Sequence, residues 1–213
     1  MLTAGYYYNL TFVQLGLIDL GTRRVGMSPE AVSAVMAGLA LFTLLVAVVV
    51  GVTMDRRGWS TDLYAKFRML FLVIAVQFVL TIVAPYVSTS GGFVLWVGVC
   101  SLALGVGIPV TFSFMIDFIP VRDRGYVAAA VAGLSFFAAA LYPVEWSIES
   151  FSTVMSVAMA PAVVALGVVS VRRFSFVDEL ARQHEEFGTG RFCRTSPVRT
   201  KSFAFWSLVI LMF

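Results

Sequence analysis

The sequence predicts an all-α membrane protein that crosses the bilayer about six times. Its 213 residues are 60% hydrophobic and only 13% charged, with a mean hydropathy of +0.92. Soluble domains contain roughly 45–50% apolar and about 25% charged residues. The apolar residues also cluster in long uninterrupted runs. A soluble fold of this size would have no way to bury so much apolar surface, so we expect lipid to be part of the solvent.

Six of these runs approach or exceed the length that a helix needs to cross the hydrocarbon, about 20 residues. In chain order they cover Ala4–Gly21, Ala31–Thr53, Met69–Val87, Gly91–Ile116, Tyr126–Trp146 and Phe151–Val171. The connections between them are short, so neighbouring helices are expected to be antiparallel. Ser28 precedes Pro29 and Glu30, which predicts an N-cap with proline at the first position of the second helix.

Three regions follow from this pattern. Residues 1–171 are predicted to form a six-helix transmembrane part, and residues 172–202 a basic connection with a short amphipathic helix over Val177–Phe187. Residues 203–213 begin another apolar run that is too short to span a bilayer, which predicts that the chain stops early in a seventh helix. Since Met1–Tyr8 contains no Lys or Arg, we expect no cleavable signal there.

Lys and Arg residues predict the orientation. All but two of the 15, Arg23 and Arg24, lie in the second, fourth and sixth connections. Because basic residues accumulate in cytoplasmic loops, the even-numbered connections and the N-terminus are predicted to face the cytoplasm. This grouping between apolar runs indicates membrane topology, and no nucleic-acid partner is expected.

One motif closes the predicted second helix. Residues 51–58 have the sequence GVTMDRRG, in which Gly51 would permit close helix packing and Gly58 a tight turn. Asp55 is an anion at a helix end and needs a partner, either an arginine or the positive N-terminus of another helix. The run resembles the G-x-x-x-D-R-x-G signature of the major facilitator superfamily, with Arg56 at the basic position.

A second stretch runs from inside the predicted fourth helix to just beyond its end and strengthens the resemblance. Glycines at positions 105 and 107 precede an acidic residue, and the spacings D-x-x-P and P-x-x-x-R-G match the family's helix-four pattern. The residues that carry this match are Asp117, Pro120, Arg124 and Gly125. Trp59 and Ser60 stand where the first signature usually ends in two basic residues.

The resemblance implies that the chain corresponds to the N-terminal half of a transporter with twelve helices in two related halves. It also implies two three-helix repeats, Ala4–Val87 and Gly91–Val171, related by a pseudo-twofold axis. By resemblance, Asp117 pairs with Arg56, and Asp55 pairs with Arg124 or Arg56. Such pairs would clamp the cytoplasmic side in one conformation and release it in the other.

Polar residues at membrane depth are candidates for a substrate or proton site. Asp19 is the main one, and it has two interpretations: a proton or cation site in a central cavity, or a partner of Arg23 four residues later near the outer interface. Asn9, Gln14 and Gln77 are also expected within the spans, where they would line a substrate path or bond to neighbouring helices.

The sequence contains no nucleophile–base pair, phosphate loop or dinucleotide fingerprint, so we expect neither an enzyme nor a cofactor. His184 is the only histidine and has no Cys or second His at metal-ligand spacing, so no metal site is expected. Cys100 and Cys193 are predicted at different depths, as two free thiols.

Two functions remain open at this stage. The leading hypothesis is secondary active transport of a small solute by alternating access, with the lipid bilayer, a solute and a missing C-terminal half or second chain as partners. The alternative is a non-transporting membrane assembly or regulatory protein built on the same helices. Substrate, coupling ion and direction are not encoded in any recognisable pattern.

Overall fold

A computed structural model describes residues 16–119, 123–140, 147–175, 177–179 and 182 of the chain. Within these ranges, all regular secondary structure is helical. Helix α1 covers Leu17–Asp19 and continues as one π-helical turn over Leu20–Arg24, and α2 covers Pro29–Arg56. Helix α3 covers Leu63–Val83 and ends in a 3₁₀ turn, Ala84–Tyr86. The remaining helices are α4 (Ser90–Phe118), α5 (Arg124–Ala140) and α6 (Ile148–Val171).

Four of these helices are long and apolar enough to cross a membrane: α2, α3 with its 3₁₀ turn, α4 and α6. The predicted all-helical architecture is therefore confirmed, and the four long apolar helices indicate a membrane protein. The described apolar part of α5, Arg124–Phe137, is shorter than a span. Of the first predicted span, residues 4–15 lie outside the described part of the chain.

Side-chain caps fix where the long helices begin. The oxygen of each capping side chain accepts a hydrogen bond from a backbone N–H of the first turn, which satisfies a donor that the helix leaves open. The capping residues of α2, α3, α4 and α6 are Ser28, Asp62, Thr89 and Ser147. The predicted Ser28 cap is confirmed. Capped by Asp62, α3 begins at Leu63, six residues before the predicted Met69, because hydropathy marks only the hydrocarbon-facing part of a helix that extends further.

Helices α2 and α4 pack side by side and run in the same direction. At one level the hydroxyl of Thr43 donates to the carbonyl oxygen of Ser101 over 3.5 Å. Further along, Val46 faces Gly105. Residue numbers rise together along both helices, which is the parallel arrangement expected of the second and fourth spans in an alternating series.

Helix α3 is antiparallel to both α4 and α6. Its start meets the ends of both helices, where Lys66 pairs with Asp117 and Arg68 donates to the carbonyl of Ser170. Its far end meets their starts, where Leu80 accepts a hydrogen bond from Trp96. We call the end of the bundle where α2, α4 and α6 end and α3 and α5 begin the basic end. The end where α2, α4 and α6 begin is the opposite end.

The buried core is concentrated toward the opposite end. Leu17, Leu20, Ala84, Phe93 and Phe151 pack together there, joining α1, the end of α3 and the starts of α4 and α6. Large apolar side chains elsewhere, above all along α2, are exposed. Such exposed apolar faces suit a hydrocarbon environment, where the surrounding lipid is as apolar as the side chains.

Two hydrogen bonds tie this core together around a proline. The indole N–H of Trp96 donates to the carbonyl of Leu80 over 3.0 Å, and the hydroxyl of Ser152 donates to the carbonyl of Thr81 over 2.7 Å. Pro85 has no backbone N–H, so it cannot donate to the carbonyl of Thr81 four residues earlier. The hydroxyl from α6 therefore satisfies a carbonyl that the proline of α3 leaves open.

Candidate functional site

The residues of both sequence motifs that the structure describes lie at the basic end. Helix α2 ends at Arg56, and the chain turns through Gly58, whose φ angle is +69°. This left-handed conformation is one that L side chains rarely adopt, so a glycine suits the turn as predicted. The N–H of Gly58 donates to the carbonyl of Asp55 over 3.2 Å.

The turn carries an arginine stacked on an aromatic ring. The guanidinium of Arg57 lies 5.1 Å from the centre of the Trp59 ring. A cation held over the face of a tryptophan gains an electrostatic attraction to the ring. In the signature that this turn resembles, the position of Trp59 usually holds a basic residue. Here Trp59 instead orders the side chain of Arg57, so the turn still carries a positive charge.

A buried ion pair joins α3 to α4 at the basic end. The Nζ atom of Lys66 contacts Oδ2 of Asp117, and only 1% and 7% of the two side chains are exposed. Charges removed from water are tolerated in this way when they are paired and hydrogen-bonded. The pair therefore fixes the start of α3 against the end of α4.

Lys66 was not among the predicted site residues, because the stripe of α3 that buries it is visible only in the structure. The buried side chains of α3 include Leu63, Lys66, Val73 and Leu80. Lys66 lies three residues after Leu63 and seven before Val73, on the apolar stripe that faces the bundle. A lysine in step with a buried stripe indicates a buried partner, and Asp117 is that partner.

The ion pairs implied by the resemblance are not the ones that form. Among the described residues, no ion pair joins Asp117 to Arg56, or Asp55 to Arg56 or Arg124. Arg124 donates instead to the backbone carbonyls of Ile119, over 3.1 Å, and Ile116, over 3.0 Å. It thereby caps the end of α4, whose last carbonyls have no partner within the helix.

Asp55 and Arg56 are both exposed. A carboxylate at the C-terminal end of a helix faces the negative end of the helix dipole, which is unfavourable without a partner. Within the described part of the chain, no cation lies within ion-pair distance of Asp55. Gly125 is exposed in the first turn of α5, and Pro120 lies outside the described residues.

The tight glycine of the α2–α4 contact is Gly105, not Gly51. A Cβ atom added at Gly105 would lie 2.6 Å from Cβ of Val46 and 2.9 Å from the carbonyl oxygen of Thr43. A Cβ atom added at Gly51 would lie 3.8 Å from Cβ of Pro109, an ordinary van der Waals distance. The motif glycine thus faces the proline of α4 but leaves room for a methyl group.

The polar candidates at membrane depth are separated. Asp19 lies 3.2 Å from Arg23, with 14% of the Asp19 side chain and 78% of the Arg23 side chain exposed. Asp19 thus pairs with Arg23 at the opposite end of the bundle, as the second of its two interpretations predicts. Gln77 is half-buried in the middle of α3. Asn9 and Gln14 lie outside the described residues.

The connection after α6 begins by docking on α3. The hydroxyl of Tyr64 donates to Oδ1 of Asp178 over 2.9 Å, and Val177 is fully buried. Glu179 and Arg182 form an exposed ion pair at 2.8 Å. Residues 177–179 and 182 are helical, within the predicted amphipathic segment Val177–Phe187, whereas His184 lies outside the described residues.

Among the described residues, the basic end places charged groups at helix ends. No set of three His, Cys, Asp or Glu side chains that could hold a metal occurs in the described residues. Comparisons of the chain with protein-family models, with characterised proteins and with solved structures give no match.

Proposed function

We propose that this chain is the N-terminal six-helix half of a secondary transporter of the major facilitator type. On this proposal it lies in the cell membrane as a multi-pass protein with its N-terminus and basic end in the cytoplasm. It moves a small solute by alternating access, together with a second six-helix half. The proposal includes no enzymatic step and no cofactor.

One observation carries the proposal: the two motif stretches end parallel helices, α2 and α4, at the same end of the bundle. Gly51 of the first motif faces Pro109, eight residues before Asp117 of the second. Residues 57 and 59 order the turn after α2, and Lys66 holds Asp117. Charged groups that meet at the ends of paired helices suit a contact that forms in one conformation and breaks in another.

The packing of the helices supports the predicted pair of three-helix repeats. A pseudo-twofold axis would exchange α1 with α4, α2 with α5 and α3 with α6. The contact between α3 and α6 maps onto itself under this exchange, and α3 is antiparallel to α6 as the operation requires. The contact between α2 and α4 would map onto one between α5 and α1, which involves residues outside the described part.

The exposed carboxylate of Asp55 is where the second half would act. A helix N-terminus or an arginine from that half would neutralise it and offset its unfavourable position at the end of α2. Gln77, with Asn9 and Gln14, remains a proposed contributor to a solute or proton path, whereas Asp19 is assigned to its pair with Arg23. The nature of the solute, and whether transport is symport or antiport, is left to experiment.

The experiment starts from the native protein extracted from its own membrane, with whatever second half accompanies it. Sugars, organic anions, drugs and peptides are screened for solutes that raise its thermal stability. The uptake of each hit is then measured in proteoliposomes. We expect uptake of at least one hit, and a loss of about tenfold or more in Asp55→Asn with binding of the solute retained. Uptake that Asp55→Asn leaves unchanged would contradict the proposed switch.

A non-transporting assembly or regulatory protein is the second candidate, and one observation favours it. The middle turns of α2, α3, α4 and α6 contain no Asp, Glu, Lys or Arg. A protein that carries no solute needs no buried charge at this depth. The same screen separates the two functions: stabilisation by a solute and its uptake support transport, whereas a co-purifying protein without uptake of any solute supports the regulatory function.

A further inference from the structure

The chain leaves α6 through two arginines that lie on aromatic rings. The guanidinium of Arg172 is 5.7 Å from the centre of the Phe174 ring, and that of Arg173 is 5.5 Å from the centre of the Tyr64 ring. Both arginines are exposed. A guanidinium that stacks by its face keeps its N–H edges available for an anion.

A third arginine comes from α3 at the same junction. Arg68 follows Tyr64 by one helical turn, so both side chains lie on the same face of α3. Its Nε donates to the carbonyl of Ser170 over 3.3 Å, and the backbone N–H of Phe174 donates to the hydroxyl of Tyr64 over 3.4 Å. The start of α3 and the end of α6 therefore hold Arg68, Arg172 and Arg173 in one cluster, which we call the arginine cluster.

No carboxylate neutralises this cluster within the described part of the chain. None lies within 4.0 Å of the guanidinium nitrogens of Arg68, Arg172 or Arg173. Of the two acids that follow α6, Glu179 pairs with Arg182, whereas Asp178 accepts a hydrogen bond from the neutral Tyr64 hydroxyl and keeps its charge. Three arginines thus stand against one nearby carboxylate. The cluster thus presents net positive charge to its surroundings.

Exposed apolar side chains lead directly to the cluster. Leu72 lies one turn from Arg68 on α3, and Val168 lies one turn from Arg172 on α6. Both are exposed, as is Val171 at the end of α6. The junction of α3 and α6 therefore presents an apolar surface along the helices and cations at their ends, which matches the two parts of a phospholipid.

We propose that the arginine cluster binds the phosphate of an anionic phospholipid whose acyl chain lies along the exposed apolar surface of α3 and α6. Basic pockets between transmembrane helices on the cytoplasmic side are suited to anionic headgroups, and guanidinium groups match phosphate oxygens in geometry. The proposal depends on the membrane placement of the helices but not on transport. It holds equally if the protein transports nothing.

The test uses the full chain in nanodiscs that contain phosphatidylcholine and phosphatidylglycerol in equal amounts with the same acyl chains. Native mass spectrometry of the released protein counts each lipid that stays bound. We expect the wild-type protein to retain phosphatidylglycerol in preference to phosphatidylcholine. The variant R172Q/R173Q should lose this preference by up to about thirtyfold, since each arginine near an anionic headgroup contributes about a factor of five.

Two controls make the outcome decisive. The variant R56Q/R57Q also removes two exposed arginines from the basic end, neither of which pairs with an acid beside the cluster, and it should keep the wild-type preference. Inorganic phosphate, added to the solubilised protein, should not displace the bound lipid. A wild-type protein without preference, an equal loss in both double variants, or displacement by phosphate alone would each overturn the proposal. The first of these results is measured on the wild-type protein, so it does not depend on whether a variant folds.

Discussion

Lys66 in the first turn of α3 and Asp117 in the last turn of α4 form an ion pair that is almost completely buried. Neither charge has enough exposed surface to be solvated by water, so each depends on the other. The pair joins two helices that are antiparallel neighbours in the bundle. It is thus an electrostatic link between α3 and α4 that is shielded from water.

Breaking this pair from one side should destabilise the protein strongly. Asp117→Asn leaves the lysine charge buried without its counter-ion, and we expect a loss of about 3–5 kcal/mol in the free energy of unfolding. The double variant K66M/D117L removes both charges and should recover more than half of that loss. Equilibrium unfolding in detergent micelles measures both values.

The exposed pair between Glu179 and Arg182 is the control for this prediction. Its side chains are 47% and 66% exposed, so Arg182→Gln should cost at most about 1 kcal/mol. If Asp117→Asn costs no more than Arg182→Gln, the burial of the first pair has no energetic consequence and the prediction is wrong.

Gly105→Ala should separate α2 from α4. The added methyl group would lie 2.6 Å from Cβ of Val46 and 2.9 Å from a backbone oxygen of Thr43, neither of which can rotate away. We expect a loss of about 1–3 kcal/mol in unfolding free energy, as for other insertions into a packed contact. Gly98→Ala on the same helix has nothing within 4 Å and should be neutral or slightly stabilising. Equal unfolding free energies for both variants would contradict the close contact.

Ser152→Ala should lower the free energy of unfolding by removing the hydrogen bond that compensates for the proline after α3. The variant leaves the carbonyl of Thr81 without the donor that replaces the N–H absent from Pro85, and we expect a loss of about 0.5–1.5 kcal/mol. In the background of Pro85→Ala, an N–H is again available in α3, so the same serine change should cost less than half as much. The double-mutant cycle is measured by unfolding in detergent.

Thr153→Ala provides the matched control for that cycle. Its exposed hydroxyl bonds only to the carbonyl of Glu149 in its own helix, so the change should show no coupling to Pro85→Ala. Coupling of similar size for both hydroxyl residues would mean that the Ser152 hydrogen bond does not compensate for the proline.

Labelling from one side of the membrane tests the orientation of the bundle. In a Cys193→Ser background, T61C places a thiol in the turn after α2 at the basic end, and S88C places one before α4 at the opposite end. A membrane-impermeant maleimide applied to intact cells should label S88C at once and T61C only after permeabilisation. The native Cys100 is buried and should stay unlabelled in both. The reverse pattern would invert the proposed topology.

Most of the helical architecture was predictable from the sequence, because apolar length and capping residues act locally. The predicted spans that begin at Ala31, Gly91 and Phe151 correspond to α2, α4 and α6 within a few residues, and Ser28 caps α2 as predicted. The start of α3 was placed too late, since Lys66 and Arg68 interrupt the hydropathy signal without interrupting the helix.

The candidate site was predicted less completely. The tight turn at Gly58 was predicted from local conformational preference, and the positive φ angle found there explains why a glycine suits it. Which residues form ion pairs depends on their neighbours in three dimensions. The resemblance implied pairs of Asp117 with Arg56 and of Asp55 with Arg124. In the structure Asp117 pairs with Lys66, and Arg124 caps the end of α4. The roles of Asn9, Gln14 and Pro120 stay predictions.

The sequence by itself determined that this protein is helical and apolar, where its long helices begin, and which end of the bundle carries the basic residues. These properties depend on hydrophobicity, caps and charge along a single segment. Only the tertiary structure decided that Gly105 is the tight contact, that Ser152 serves the carbonyl of Thr81, and that Lys66 neutralises Asp117. Each of these depends on the rotation and register of one helix against another, and in a membrane a uniformly apolar helix has no hydrophobic stripe strong enough to fix them in advance.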